Sequence, residues 1–536
     1  MPAFRAYRAP SANGAGLIDP PLIQADAVAQ ANRALAESYP DSLRDLRRLG
    51  RDEVVRAALA YTSAYRDVHW TEGRDPGRII MAGHQPTLFH PGVWFKNFAL
   101  SHLAACQNSL AINLVVDNDV AGDASVRVPV YDDLSRRVGM QSVAFDRAAS
   151  GVPYEQWRIA DRALFDSFSQ RLAAQVQPLV TNPSVTLLWR HARSAIQRCD
   201  FAGCVMAQAR HALEADLGAR TLELPVSVVS RTEAFARFIV RIFDRAAAFA
   251  KAYNDSLAVY RAAQGIRSRS HPVPPLGHED GWQETPLWIY GNDLPVRRAV
   301  WVRRQGDRLE ISDRAGVAFD VDMSNLDQAA DQLRSQCNDD VKLRPRALLT
   351  TMFARLVLSD LFLHGIGGGK YDQLGDMVAA EFFALAPPQF MVLSATIRLP
   401  IAEEQASAGV DGEAVRPQDS SEDSIAFLQR QLRQTVYQPE RFAGHADLSP
   451  ELLHRKASLL ESIPPRGQKL DWHRQVTDVN QRLSDELAGV RHDLNRRIAD
   501  AKRIQANQSI LRSREHSLAL HPVETMLAAY RRLLQA

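Results

Sequence analysis

Two histidines, two prolines and a glycine punctuate residues 81–100, MAGHQPTLFHPGVWFKNFAL, between an apolar run and an amphipathic one. His90, Pro91 and Gly92 stand where a helix should begin, and the free N–H groups of a helix N-terminus attract phosphate or carboxylate. His84 and His90 can supply protons or hydrogen bonds there, and Gln85, Gly92, Lys96 and Asn97 are further ligand contacts. In class I nucleotidyl transferases and synthetases a histidine-and-glycine motif at the first strand-to-helix turn steadies a nucleotide phosphate; HPG supplies one histidine of that pair. The alternative is structural: His90 caps the helix and His84 fills a hydrogen bond at a strand end.

VVDNDVAGD follows a second apolar run and presents Asp117, Asp119 and Asp123. Carboxylates there could hold an amine, a sugar hydroxyl or Mg²⁺, or could simply be solvated. The sharpest local signal is HGIGGGKYDQLGD, in which Gly367, Gly368 and Gly369 offer backbone N–H groups to an anion and Lys370, Tyr371 and Asp372 follow at once. It is neither a Walker A loop nor a dinucleotide GxGxxG. His278, Glu279, Asp280 and His364 make no metal-ligand pattern, so no metal site is expected from them.

The elements that must carry these residues alternate. RIIMAG reads as a buried strand, VWFKNFALSHLAAC as a helix and SLAINLVVDND as a second strand, which makes a βαβ unit with a parallel sheet. Ligands in such sheets gather outside the carboxyl ends of the strands, where both the 83–92 and 117–123 loops fall. Residues 26–66 predict two or three helices broken at Pro40 and Gly50, and 155–265 is mainly helical. Residues 286–313 alternate between two turn signals and predict a small antiparallel meander. PRALLTTMFARLVLSDLFLHG predicts an apolar helix closing on Gly365, followed by a glycine loop, another helix and a returning strand, QFMVLSATIRLP. Beyond a polar linker, Val476, Val479, Leu483, Leu487, Val490, Leu494, Ile498 and Ala501 repeat every eleven residues, which predicts a nearly straight or weakly right-handed coiled coil.

With 536 residues the chain should divide into several packed pieces. Its 64 Lys and Arg nearly balance 62 Asp and Glu, so no global field points to nucleic acid or an anionic membrane. No apolar run approaches a membrane span and the N-terminus lacks a signal core, so a cytoplasmic location is expected. Cys106, Cys199, Cys204 and Cys337 are scattered and read as free thiols.

Three blocks in this order resemble the cysteine-adding enzyme family of bacillithiol biosynthesis (BshC). GHQPTLFHPGVW is similar to that family's GQQAGLxTGPxY through Gly83, Gln85, Leu88 and Trp94, and VDNDV to its EDHDF through Asp117 and Asp119. LRPRALLTTMFARLVLSDLFLHGIGGGKYDQL resembles the third block through Pro345, Leu348, Leu349, Asp360, Gly367, Gly368, Tyr371, Gln373 and Leu374. His84 replaces a Gln of the family, Asn118 a His, and Lys370 and Asp372 stand where it has Glu and neutral residues, so a distant relative is expected.

The resemblance implies an α/β fold: a Rossmann-like parallel-sheet core, an inserted helical and small β connecting subdomain, and a C-terminal α-helical coiled coil that makes a homodimer. The corresponding divisions are an N-terminal helical segment (1–75), the first part of the core (76–150), the insertion (151–340), the second part of the core with the glycine loop (341–402), a linker (403–424) and the helical region (425–536). It further implies a carbon–nitrogen ligase that joins an amino acid, cysteine in the best case, to the amine of a small polar metabolite such as an amino sugar conjugate. ATP is the plausible activator, because amide formation from a free carboxylate is uphill, and Mg²⁺ would be its companion. His84, His90 and Lys370 would then face phosphate charge, and Asp117 or Asp119 would orient or deprotonate the amine. The rival functions are nucleotidyl transfer with the same loops, and a non-catalytic dimer that binds a ligand or partner.

Overall fold

A computed structural model describes residues 4–68, 77–132, 134–147, 151–268, 270–401 and 421–535. The chain forms two compact units. One comprises residues 1–128, 142–400 and 514–536, and the other residues 129–141 and 401–513. Most of the expected linker lies outside the described residues, and its last four residues open the helix Ser421–Tyr437.

In chain order the strands are β1 (Gly16–Asp19), β2 (Ile79–His84), β3 (Leu110–Val115), β4 (Ser125–Asp132), β5 (Arg137–Ala144), β6 (Leu222–Pro225) and β7 (His278–Glu279). They continue with β8 (Trp282–Tyr290), β9 (Arg298–Gln305), β10 (Arg308–Ser312), β11 (Ala318–Asp322), β12 (Lys342–Pro345), β13 (Leu361–His364) and β14 (Met391–Ala395). The main sheet of the larger unit runs β1-β14-β13-β2-β3-β6. Its five strands from β14 to β6 are parallel, and β1 pairs antiparallel with β14 at one edge. Numbered along the chain, the parallel strands lie in the order 3-2-1-4-5, so connections leave β2 in one direction and resume at β13 in the other. The carboxyl ends of β2 and β13 therefore flank a topological switch point, the place where open α/β sheets leave a crevice.

These strands carry branched and apolar residues on both faces because both faces are covered. Ile79 and Met81, Leu110, Ile112 and Leu114, and Leu222 and Leu224 join one core with residues of the helices Asp41–Ser63 and Glu233–Asp244. The helix Pro91–Cys106 crosses β14, β2 and β3. The last helix, Val523–Gln535, packs on it, and the Tyr530 hydroxyl donates to Pro91 O at 2.6 Å. The final residues therefore belong to the sheet-bearing unit and do not extend the helical region expected over 425–536.

Several expected elements change identity. Gly50 does not break its helix: it is buried where a Cβ would stand 2.9 Å from Val357 Cγ1, and Asp41–Ser63 runs straight through it. The N-terminal segment contributes β1 as well as helices. The segment expected as one apolar helix ending at Gly365 is a short helix (Ala347–Phe353), a widened π turn (Ala354–Leu358) and then β13. No glycine loop follows. Gly365 caps the helix Ile366–Phe383, whose first turn contains the three glycines. The meander over 286–313 is larger than expected, a sheet in the order β11-β10-β9-β8-β12 with β7 beside β8. Gly306, at φ +63°, makes the tight turn between β9 and β10.

In the helical unit the eleven-residue series does not lie on one continuous helix. Leu470–Glu486 and Ala488–Leu511 are separated at Leu487. Val479, Leu483 and Leu487 are buried with Phe442 and Leu448, and Leu494 and Ile498 are buried with Leu428. The series forms small intrachain cores. Among the described residues no helix is long and apolar enough to cross a membrane.

Candidate functional site

A cleft of about 970 Å³ opens at the switch point and draws its lining from the three segments singled out in the sequence. His84, Gln85, His90, Lys96, Asp119, Gly367, Gly368, Lys370 and Tyr371 all border it. The other lining side chains include Arg297, Arg346 and Trp288 from the β8–β12 subdomain and its edges, and Arg514 from the chain's end. Six cationic side chains meet two carboxylates on its walls, in a chain whose formal net charge is only +2. Arg297, Arg346 and Arg514 are paired with Asp119, Glu284 and Glu515, which leaves Arg8, Lys96 and Lys370 as the cationic side chains of its walls without a carboxylate partner among the described residues.

Lys96 projects from the helix after β2 back to the end of that strand. It is 1% exposed and its Nζ donates to Gly83 O at 2.5 Å. Among the described residues no carboxylate pairs with it, and burial together with Arg210 pushes the ammonium down to about 7. Across the switch point, the first turn of Ile366–Phe383 presents its backbone N–H groups beside Lys370, an exposed side chain. A Cβ at Gly367 would meet nothing within 4 Å, so this face of the turn is open.

The two helix N-termini differ in a way that spacing alone does not reveal. At His90 the Gly92 N–H donates to the His90 Nδ1 at 3.1 Å, so the side chain caps its own helix. A Cβ at Gly92 would overlap Ala395 O, which makes Gly92 a packing glycine and not an anion contact. Gly369 is likewise a packing position, where a Cβ would run into the Val392 side chain.

His84 is half-buried, with its ring edge-on to Phe89. Its Nδ1 lies 3.2 Å from Gln85 O and is the protonated nitrogen on that contact. Burial and the nearby Lys96 hold the imidazole near 3, so it is neutral at pH 7. Burial brings His90 to about 4 against the opposing pull of Glu515. Asp119 is fixed in the cleft by Gln85 Nε2 (2.9 Å) and Arg297 Nη1 (2.9 Å). Tyr371 OH lies 3.2 Å from His271 Nε2.

Three expected site residues have other work. Asn97 Nδ2 donates to the buried Glu214 at 2.7 Å, alongside Trp94 Nε1 and Arg210, and belongs to a polar cluster behind the helix. Asp117 turns away from the cleft, accepts from Ser227 N at 2.9 Å and borders a separate cavity. Burial and the neighbouring Glu155 push its carboxyl up to about 7. Asp372 is buried within the protein and pairs with Arg355 at 2.5 Å. Burial alone would raise it, but Arg355 and His364 hold its carboxyl well below the usual range.

His364, the last residue of β13, lines the cleft; the sequence weighed it only as a metal ligand and not as a cleft residue, because its segment reads as helix. Arg297, Arg346 and Arg514 were missed because they arrive from distant chain segments with no local pattern. Among the described residues no group of three His, Cys, Asp or Glu side chains is disposed to hold a metal ion. Compared with known proteins, the chain matches no family model and no curated protein.

Proposed function

We propose that the chain is a carbon–nitrogen bond-forming ligase with a Rossmann-like core, distantly related to the BshC family. It would bind a phosphate-bearing small molecule in the switch-point cleft and join an amino acid, cysteine in the best case, to an amine. One observation carries this: a buried lysine that no carboxylate among the described residues pairs with faces, across the reversal of strand order, an open glycine-bearing helix start. An unpaired buried ammonium is costly, and an anionic ligand would remove that cost.

Each residue has a defined task. The N–H groups around Gly367 and Gly368, with Lys96 and Lys370, receive the phosphate that leaves an activated carboxylate. Neutral His84 offers a hydrogen bond without adding charge. Asp119, held between Gln85 and Arg297, orients the incoming amine. ATP would supply the activation. Any Mg²⁺ would reach the site with the nucleotide, because of Asp117, Asp119 and Asp123 only Asp119 borders the cleft. The homodimer would form through the helical unit, where Phe427, Tyr437 and Leu470 are exposed apolar side chains.

The test is release of pyrophosphate from ATP by the full chain with single amino acids and glucosamine as probes. Release that depends on an added amino acid is expected, and replacing His84 and Lys370 together by Ala should abolish it while the fold persists. Release with a sugar phosphate alone would mean nucleotidyl transfer. No release, together with no thermal stabilisation by ATP, amino acids or glucosamine, would mean that the cleft serves neither.

A further inference from the structure

His364 lies at the end of β13, on the other side of the strand-order reversal from His84, and is 3% exposed. Its Nε2 lies 2.9 Å from Asp372 Oδ2. That carboxylate is fixed in turn by the Thr351 hydroxyl at 2.5 Å and by Arg355. The contact is an ion-pair distance and not an aligned hydrogen bond, but an ionised acid this close favours the ring proton on Nε2, which leaves the imidazole lone pair on Nδ1. Space in front of Nδ1 is kept by a glycine, since a Cβ at position 368 would stand only 2.8 Å from it. Among the described residues nothing hydrogen-bonds Nδ1, although the ring is enclosed by Phe362 and Phe390.

A carboxylate behind the ring, a bare nitrogen in front and an anion cradle one helical turn away is the arrangement of a general base. The other two histidines of the cleft suit the task less well. Among the described residues His84 has no carboxylate partner, and it would build its positive charge against Lys96, while His90 spends Nδ1 on the Gly92 N–H.

We propose that His364 Nδ1 accepts the proton of the amine nucleophile, with Asp372 as its positioning residue. This rests on the ligase function proposed above. The amine nitrogen attacks the carbonyl carbon of an acyl phosphate or acyl adenylate, the N–C bond forms and the carbonyl electron pair moves onto oxygen. The N–H proton passes to Nδ1, and the resulting imidazolium is stabilised by Asp372. The intermediate then collapses, the C–O bond to phosphate breaks, and the departing oxyanion is received by the glycine turn and Lys96. His364 returns its proton to solvent. The charged groups facing the ring are Asp372, which favours the imidazolium, and Arg355 and Lys96, which oppose it. Burial opposes it most, so the resting ring is neutral.

The test compares two half-reactions of the full chain, ATP–pyrophosphate exchange with cysteine and amide formation with glucosamine. His364→Gln and Gly368→Ala should each reduce amide formation about 10²–10⁴-fold more than exchange. Asp372→Asn should shift the acid limb of the amide pH profile, which a purely structural role would not do. Equal losses in both half-reactions by folded variants, or no loss, would overturn the assignment. If the unaltered chain performs neither half-reaction, the ligase function fails by itself. His364 is then judged by ¹⁵N-histidine NMR with pyrophosphate as the probe. A proton on Nε2 and an Nδ1 resonance that moves on titration support the assignment, and a proton on Nδ1 or an unresponsive resonance rejects it.

Discussion

Lys96 reaches the Gly83 carbonyl at 2.5 Å with its stem packed in the helix that follows β2, and meets no carboxylate there. Its ammonium is pushed down to about 7 from an ordinary value of 10.5. Between those values the unfolded chain binds a proton that the folded chain lacks, so this group makes stability rise with pH over that window. A bound anion should reverse the depression. Titrating the chain with pyrophosphate at pH 8, in two buffers of different ionisation enthalpy, should reveal net proton uptake that shrinks towards pH 6. Lys96→Met should weaken pyrophosphate binding by about 10–100-fold, the scale of a charged hydrogen bond, without lowering the melting temperature. Unchanged affinity would remove Lys96 from the anion site.

The glycines of the two helix starts should respond oppositely to alanine. At Gly92 the added methyl overlaps Ala395 O, and such overpacking costs about 1–3 kcal/mol or more. At Gly367 the methyl enters open space on a helical turn, where alanine is favoured over glycine by up to about 1 kcal/mol. Gly92→Ala should therefore unfold at clearly lower denaturant, while Gly367→Ala should hold its midpoint and bind pyrophosphate several-fold more weakly. Equal midpoints would contradict the packing described for Gly92.

The same contrast shows where sequence patterns stop. β2, β3 and β14 were legible because branched apolar runs bounded by turns have few other uses. β13 was not: LFLH is buried on both faces, so it lacks the alternation of a strand and merges with the apolar helix before it. β6 has four residues between helices, too few to carry a period. The triple glycine pointed to an exposed backbone turn, and two of its three glycines, Gly367 and Gly368, do border the cleft. Which helix start stays open is decided by Ala395 O and the His90 ring, neither of which spacing can reveal. Asp117 and Asp119 are two residues apart and looked equivalent, but Ser227, more than a hundred positions later, captures the first.

Asp117 supplies a stability test with a defined sign. Its folded carboxyl titrates at about 7 against an ordinary 3.8. From about pH 4 to pH 7 the unfolded chain is ionised at this position while the folded chain keeps its proton, so stability from this group falls as pH rises. Asp117→Asn removes that dependence. The variant should gain on the unaltered chain between pH 5 and pH 8 in thermal melts. A variant that loses ground over the same interval would show that the ionised carboxylate is well satisfied by Ser227.

The helical unit can be tested for whether its apolar series packs within one chain. Leu494 is 4% exposed against Leu428 and Ile498 of the same chain, whereas Leu470 is 67% exposed. Leu494→Ala removes buried volume and should cost about 2–5 kcal/mol, while Leu470→Ala should leave stability nearly unchanged. An intrachain core gives a loss independent of protein concentration, because the contacts of this leucine would not form through association. Melts recorded across a hundredfold range of concentration should therefore show the same Leu494→Ala deficit throughout. A deficit that closes as concentration rises would mean that this leucine joins two chains, and the eleven-residue series would then be a dimer seam after all.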